Sequence, residues 1–297
     1  MFYCSNSGRR ISTYTHAAIW LIVKLTFMLA PGTSLQLQWA ITRKQVGGSR
    51  AELRRESRRH MSVLSNTQIR QYIADDHIVC HPFNPKHVAH ASLDVTLGYY
   101  YYRIEPANER IIYNPFDRED VERYFDGPYK AMPHKEWCAI NGFKPIVGIP
   151  EDHPVIAIKP GERILAHTHE FFGIKPPGAC EVRSRSSWGR NGVAVCFDAG
   201  WIDPGYINRL TLEIYNLNHR ETVVLPVGER IAQIIFHETG EVDGNYGSGR
   251  DDGFSGKYQS GTDLEQLIKT WSPSWMLPQA WKDTRSMPVK IEGLSYD

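Results

Sequence analysis

Arg185–Asn216 reads RSSWGRNGVAVCFDAGWIDPGYINRLTLEIYN, and its rhythm decides the fold. Strand-like runs (GVAVCF, NRLTLEIYN) alternate with Gly and Pro turn signals. No helical period long enough to link parallel strands interrupts them. Arginines, a pair of serines, two aspartates and one glutamate punctuate the stretch, placed where turns would project them into a shared pocket.

The same rhythm extends outward. VIAIKPGERILAHTHEFFGI, EVRSRS and TVVLPVGERIAQIIFHE are strand-like, and Pro160-Gly161, Pro177-Gly178, Pro204-Gly205 and Val227-Gly228 separate the runs. Short strands at a spacing of roughly 8–12 residues predict a mostly β protein, an all-β sandwich or jelly roll rather than a parallel α/β sheet. Upstream, Ser65-x-x-Gln68 reads as a capping box ahead of Ile69, Tyr72 and Ile73, which predicts a short helix over 65–74. SLDVTLGYYYYRI (Ser92–Ile104) predicts one strand. The Pro-containing, mixed-charge region 105–150 predicts a loop-rich surface insertion, with Asp117, Glu119, Asp120 and Glu122 as a solvated face. Beyond Phe236 the chain turns polar and Gly-rich, the pattern of a mobile segment, and a short helix is expected after Leu264.

The totals bound the function. A chain of 297 residues has material for a buried core, and its net charge of +1 conceals an asymmetry. Residues 1–60 hold ten Lys and Arg against Glu52 and Glu56. Removing these from the totals of 34 basic and 33 acidic residues leaves 24 and 31 over 61–297, a net of −7. So acidic a domain lacks the basic field of a general nucleic-acid binder, and any phosphate site must be a local cluster. The five cysteines are scattered, with no C-x-x-C pair, and read as buried free thiols. Ala17–Ala30 is apolar but only 14 residues long and broken by Lys24, short of the roughly 20 that cross a bilayer. Residues 1–60 are open to three readings: a presequence, a signal anchor, or translation from an upstream start ahead of Met61. The expected organisation is a 1–60 extension, a 61–259 domain with its insertion, and a 260–297 tail. The expected location is cytoplasmic, unless residues 1–60 direct the chain to an organelle.

Three sets of residues carry chemistry. His167 and His169 share a strand face and invite a metal, yet no third ligand stands nearby. Arg185, Ser186, Ser187 and Arg190, with Gly189 and Gly192 permitting close backbone approach, suit phosphate oxygens, or else form a solvated turn. Asp203 sits in an Ile-Asp-Pro-Gly turn. Glu213 interrupts the apolar run LTLEIYN, where an ionised carboxylate is costly without a partner or a task. Desolvation there would raise its pKa and fit it for proton transfer.

RSSWGRNG, DAGWIDPGY, LTLEIYN, VGERIAQIIF and GKYQ, in this order and with LSNTQIRQYI and ASLDVTLG before them, resemble the dCTP deaminases of the trimeric dUTPase-like superfamily. The resemblance spans Met61 to about Gln259. It implies a mostly β fold, a distorted jelly roll or β-barrel of the dUTPase-like type with a short N-terminal helix, dCTP as substrate, and deamination without zinc, to dUTP and ammonia. It casts Glu213 as proton shuttle, with Ser186 and the Ala199 carbonyl placing water and Arg190 stabilising charge. Arg185, Ser187 and Lys257 would bind the triphosphate, Mg2+ accompanying it. Asp203 would hold the sugar hydroxyl, and Tyr246 and Gln259 would close as a lid. Trp188, Gly189, Thr211 and Leu212 belong to the same implied nucleotide site. The resemblance further implies a homotrimer with interfacial sites and no membrane or nucleic-acid partner. Two alternatives stand beside it. A bifunctional deaminase–diphosphatase would release dUMP and pyrophosphate, with Asp203 activating water. A silent dUTPase-like nucleotide-binding regulator would have no reason to keep Glu213, Arg190, Ser186 and Lys257 together. Cys196 and Asp198 stand where many relatives have His and Thr, which puts feedback by dTTP in doubt.

Overall fold

The computed structural model describes residues 62–104, 112–246, 256–259 and 261–282. The extension 1–60 and the Gly-rich run 247–255 lie outside them. Helix α1 (Asn66–Ala74) starts at the expected capping box: Ser65 Oγ accepts from Gln68 N, and Gln68 returns its side chain to Ser65 N. It leads into β1 (Ile78–His81).

The run expected as one strand forms two, β2 (Leu93–Thr96) and β3 (Tyr100–Ile104), in different sheets. Gly98 lies between them against the His167 ring, where a Cβ would come within 2.1 Å of Cε1. The chain can change sheets there because glycine has no side chain.

The 105–150 region is more ordered than its composition suggests. It contains α2 (Arg118–Tyr124), β4 (Phe125–Lys130), β5 (Met132–Pro133) and α3 (His134–Asn141). Asp117 caps α2 through Glu119 N. Asp120 is buried, accepts from Asn114 N at 3.1 Å and pairs with Arg123. The expected solvated acidic face is therefore only partly solvated.

Strands β6 (Pro154–Ile158) and β7 (Arg163–Ile174) follow, then β8 (Gly178–Ser184) and the five-residue helix α4 (Ser186–Arg190), which the sequence pattern does not signal. β9 (Val193–Ala194), β10 (Trp201–Ile202), β11 (Ile207–Asn216), β12 (Val223–Pro226) and β13 (Arg230–Glu238) complete the sheets. The larger sheet runs β4-β3-β7-β11-β9 with β1 also on β7, the second β10-β8-β13-β2, and the third β12-β6-β5. All of these pairings are antiparallel. The fold is mostly β, as expected, but its sheets stay open rather than closing into a barrel.

Apolar residues from all three sheets meet in one core, with Leu64 and Ile69 of the helical entry packed against Phe172 and Phe236. A second, smaller core lies on the outer face of β3 and β7. There Val121 and Phe125 of the inserted region meet Met276 and Leu277 of the C-terminal tail around Tyr102 and Leu165. The tail also forms α5 (Leu264–Thr270), whose Leu267 packs on Phe171 and Ile207. Arg209 is sandwiched there, its guanidinium 4.8 Å from the Phe171 ring centroid and 4.6 Å from that of Trp271. Among the described residues no helix is long and apolar enough to cross a membrane.

Candidate active site

Period-two alternation along β11 sorts its side chains. Leu212 and Ile214 enter the main core with Ile164 and Ala166 of β7. Thr211, Glu213 and Tyr215 turn to the outer face beside Arg163 and Leu165. A cavity of about 580 Å³ opens on that face. Its floor is Thr211, Glu213, Arg163 and Leu165. Ala199, Ile202, Asp203 and Tyr206 form one wall. Tyr113, Phe125 and Met276, from the insertion and the tail, form another, and Tyr246 and Tyr258 close the rim.

Glu213 sits in this apolar setting with Leu165 as its cross-strand neighbour. Burial pushes its carboxyl up to about 7, while its own backbone N–H and the Arg163 guanidinium pull the other way. A group poised there accepts and returns protons near neutrality.

The Asp203 turn is held from behind. Gly205 takes φ +85°, and Gln259, buried beneath it, accepts from Ile207 N at 2.6 Å and donates to Gly205 O at 3.1 Å. Tyr246 N donates to Pro204 O at 2.9 Å, and Tyr258 N donates to Tyr246 Oη at 3.4 Å. Asp203 Oδ1 accepts from Trp201 Nε1 at 3.2 Å. Gln259 is thus an anchor of the turn, and its amide does not line the cavity.

The structure brings Ala199, Asp203, Thr211, Glu213 and Tyr246 to one cavity and leaves the other expected residues outside it. Leu212 is wholly within the main core. Arg185 pairs with buried Asp94, which Arg230 also reaches at 3.1 Å. Trp188 Nε1 donates to Arg230 O at 3.1 Å. Ser186, Ser187, Gly189 and Arg190 are exposed on α4. Lys257 is half-buried just ahead of Tyr258.

The histidine pair is structural at its first member. Both ring nitrogens of buried His167 are engaged, with Thr168 O at 2.8 Å and Tyr100 N at 3.2 Å. Burial lowers its pKa to about 3. Glu170 of the same run accepts from Thr96 N and Thr96 Oγ1. Among the described residues no group of three His, Cys, Asp or Glu side chains is arranged to hold a metal ion.

Residues 63–239 match the family model described as dCTP deaminase-like. The chain belongs to the dCTP deaminase-like family. This dCTP deaminase-like chain is 32% identical over 177 residues to a protein of Methanosphaera stadtmanae named "dCTP deaminase, dUMP-forming", spanning 59% of this chain and 79% of the relative. It is 28% identical over 208 residues to a protein of the same name from Aquifex aeolicus, spanning 70% and 99%. Among solved structures it is similar to the 2'-deoxycytidine 5'-triphosphate deaminase of Agrobacterium tumefaciens, with 21% identity and a TM-score of 0.42. That match covers 61% of this chain and 49% of the other.

Several cavity residues of the dCTP deaminase-like chain carry no sequence signal. Tyr113, Phe125, Met276 and Pro278 come from segments without a strand period. Arg163 was legible in principle: it stands two residues before Leu165, so one strand face carries both, but nothing local marks that face as a cavity floor.

Proposed function

We propose that the chain is a dCTP deaminase that carries its substrate through to dUMP, pyrophosphate and ammonia. The observation that carries this reading is the sharing of one cavity by a desolvated carboxyl, Glu213, and a turn-held carboxylate, Asp203. The names of its relatives favour dUMP over dUTP as the end product.

Glu213, ionised, takes a proton from water as the water oxygen bonds C4 of the cytosine ring, and passes that proton to N3. It then moves the proton of the new C4 hydroxyl to the amine. The C4–N bond breaks, ammonia leaves with the bonding pair, and C4=O forms. Ala199 lines the same cavity, and its carbonyl would orient the water. Asp203 would deprotonate a second water against the α-phosphorus, releasing pyrophosphate.

The phosphate-binding set Arg185, Ser186, Ser187 and Arg190 is outside this cavity in the single chain. The reading therefore includes a homotrimer, in which a neighbour's α4 supplies Arg190 and Ser186 to Glu213 and, with Lys257, binds the triphosphate. The two cavity carboxylates sit on separate elements and make no cage for a hard cation. Mg2+ would enter on the triphosphate and neutralise part of its charge.

The test is to incubate the full chain with dCTP and, separately, with dUTP, and to resolve dUTP, dUMP and pyrophosphate. Expected are ammonia and dUMP from dCTP. Accumulation of dUTP with no dUMP would reduce the reading to deamination alone, and an inert chain would leave a nucleotide-binding regulator.

A further inference from the structure

The family match ends at residue 239, and the C-terminal tail lies beyond it. Contacts with the β7–β11 face fasten this tail along its length. Leu267 packs on Phe171 and Ile207, Trp271 stacks on Arg209, and Met276 and Leu277 enter the second core around Leu165. The next contact is polar and lies at the cavity. Gln279 N donates to Tyr258 Oη at 3.2 Å, one residue after the cavity-lining Pro278. Lys282 Nζ reaches Lys257 O at 3.5 Å. Two residues past Gln279, Trp281 packs against the second core, with the Arg118 guanidinium 5.5 Å from its ring centroid. Trp281 itself stands outside the cavity that holds Glu213.

Tyr258 passes this support on to the cavity rim. Its N donates to Tyr246 Oη at 3.4 Å, and its O accepts from Asn208 Nδ2 at 3.0 Å. Tyr246 N donates in turn to Pro204 O at 2.9 Å, beside Asp203. A continuous path of contacts therefore runs from the tail, through Tyr258 and Tyr246, to the turn that carries Asp203. A rim that its ligand must order loses affinity to the cost of ordering, and a rim held by the protein does not. We propose, resting on the nucleotide reading above, that Gln279 and Trp281 are positioning residues for nucleotide binding. They hold Tyr258, and through it Tyr246, at the mouth of the cavity. The tail then acts on affinity, while the proton transfers at Glu213 proceed unchanged once the substrate is bound.

Two variants of the full chain test this. Tyr258→Phe removes the acceptor for Gln279 N and keeps the ring, and Trp281→Ala loosens the tail from outside the cavity. Each should raise KM for dCTP roughly three- to tenfold, the range of one hydrogen bond, and leave kcat within about twofold. KM does not depend on how much of a variant is folded, so lost stability alone would not move it. Because both act through the Gln279–Tyr258 contact, the double variant should keep the higher single-variant KM to within about twofold. An unchanged KM in either single variant, whatever its melting temperature, overturns the proposal. Effects that multiply in the double variant also overturn it, since the Tyr258 hydroxyl would then act on the nucleotide directly. Amide exchange of the nucleotide-free chain gives a second readout that needs no turnover. The Tyr258 and Gln279 amides should exchange faster in Trp281→Ala than in the parent, by about threefold or more. Equal exchange would end the proposal. A parent inert on dCTP would remove the functional reading, and the exchange comparison would still judge whether the tail holds the rim.

Discussion

Glu213 stands directly opposite Leu165 in the antiparallel pairing of β7 and β11. Its strand neighbour is an apolar side chain where a structural glutamate would have donors. Glu170, on the same β7 strand, shows the contrast: it is buried too, but both its oxygens accept hydrogen bonds from Thr96, at 2.9 and 2.8 Å. One carboxylate is satisfied within the fold. The other is left for something that enters the cavity.

Glu213→Gln should therefore separate stability from activity. The folded carboxyl titrates at about 7 against an ordinary value of 4.5. Between these values the native state keeps a proton that the unfolded chain has released, so stability falls as pH rises from 4.5 to 7 and the full cost remains above 7. Glutamine removes that cost, on the order of 3 kcal/mol. The variant should melt higher than the parent at pH 8 and show no advantage near pH 4.5. Its deamination rate should drop by about 10²-fold or more. In the parent, kcat/KM should decline below pH 7 as Glu213 takes up its proton. A pH-independent difference in melting temperature would place the ordinary pKa on this residue.

Gln259 serves as the peg beneath the Asp203 turn. Gln259→Ala would strand Ile207 N and Gly205 O in a buried place, at a cost of about 1–3 kcal/mol for groups left unsatisfied. Since the same turn carries Asp203, KM for the nucleotide should rise along with the loss of stability. Gln259→Glu keeps the acceptor for Ile207 N but loses the donor to Gly205 O, and should be destabilised as well. Denaturant titration and steady-state kinetics read both effects. A rise in KM with stability unchanged would instead put the Gln259 side chain on the ligand.

Gly205 answers to two constraints at once. Its φ of +85° is a left-handed conformation, and a Cβ there would overlap the Asn245 side chain, 1.2 Å from Oδ1. Gly205→Ala should cost about 1–3 kcal/mol and lower the melting temperature. Gly228, also at positive φ (+79°), has open space around it, so Gly228→Ala should cost less, mostly the backbone strain.

Local signals were legible in the sequence and long-range ones were not. The Ser65–Gln68 capping box is a four-residue pattern, and helix α1 follows it. Glu213 was legible because a charge inside an alternating apolar strand is costly wherever the strand packs. The break at Gly98 was not, since it depends on the His167 ring arriving from 69 residues away. Arg185 reads as a phosphate ligand by its neighbours, yet its partner in the fold is Asp94, 91 residues distant. Asp120 reads as solvated until Asn114 N and Arg123 close on it. The cavity wall built by Tyr113, Phe125 and Met276 comes from segments with no period, and only their meeting on β3 and β7 reveals it.

In the proposed reaction, Asp203 separates one step from two. Its Oδ1 accepts from Trp201 Nε1 at 3.2 Å, which holds the carboxylate at the cavity wall. Asp203→Asn preserves the shape and the capacity to accept a sugar hydroxyl, but an amide cannot take a proton from water. If Asp203 activates water against the α-phosphorus, release of dUMP from dUTP should fall by about 10²-fold or more, while consumption of dCTP changes by less than about tenfold. The variant would then accumulate dUTP from dCTP, a product the parent passes on. If both steps fall together, the carboxylate acts on the sugar, which the two reactions share, and the water of the second step must be activated from elsewhere. Timed separation of dCTP, dUTP and dUMP from one reaction mixture decides between these outcomes, because the ratio of the two products is insensitive to how much of the variant folds.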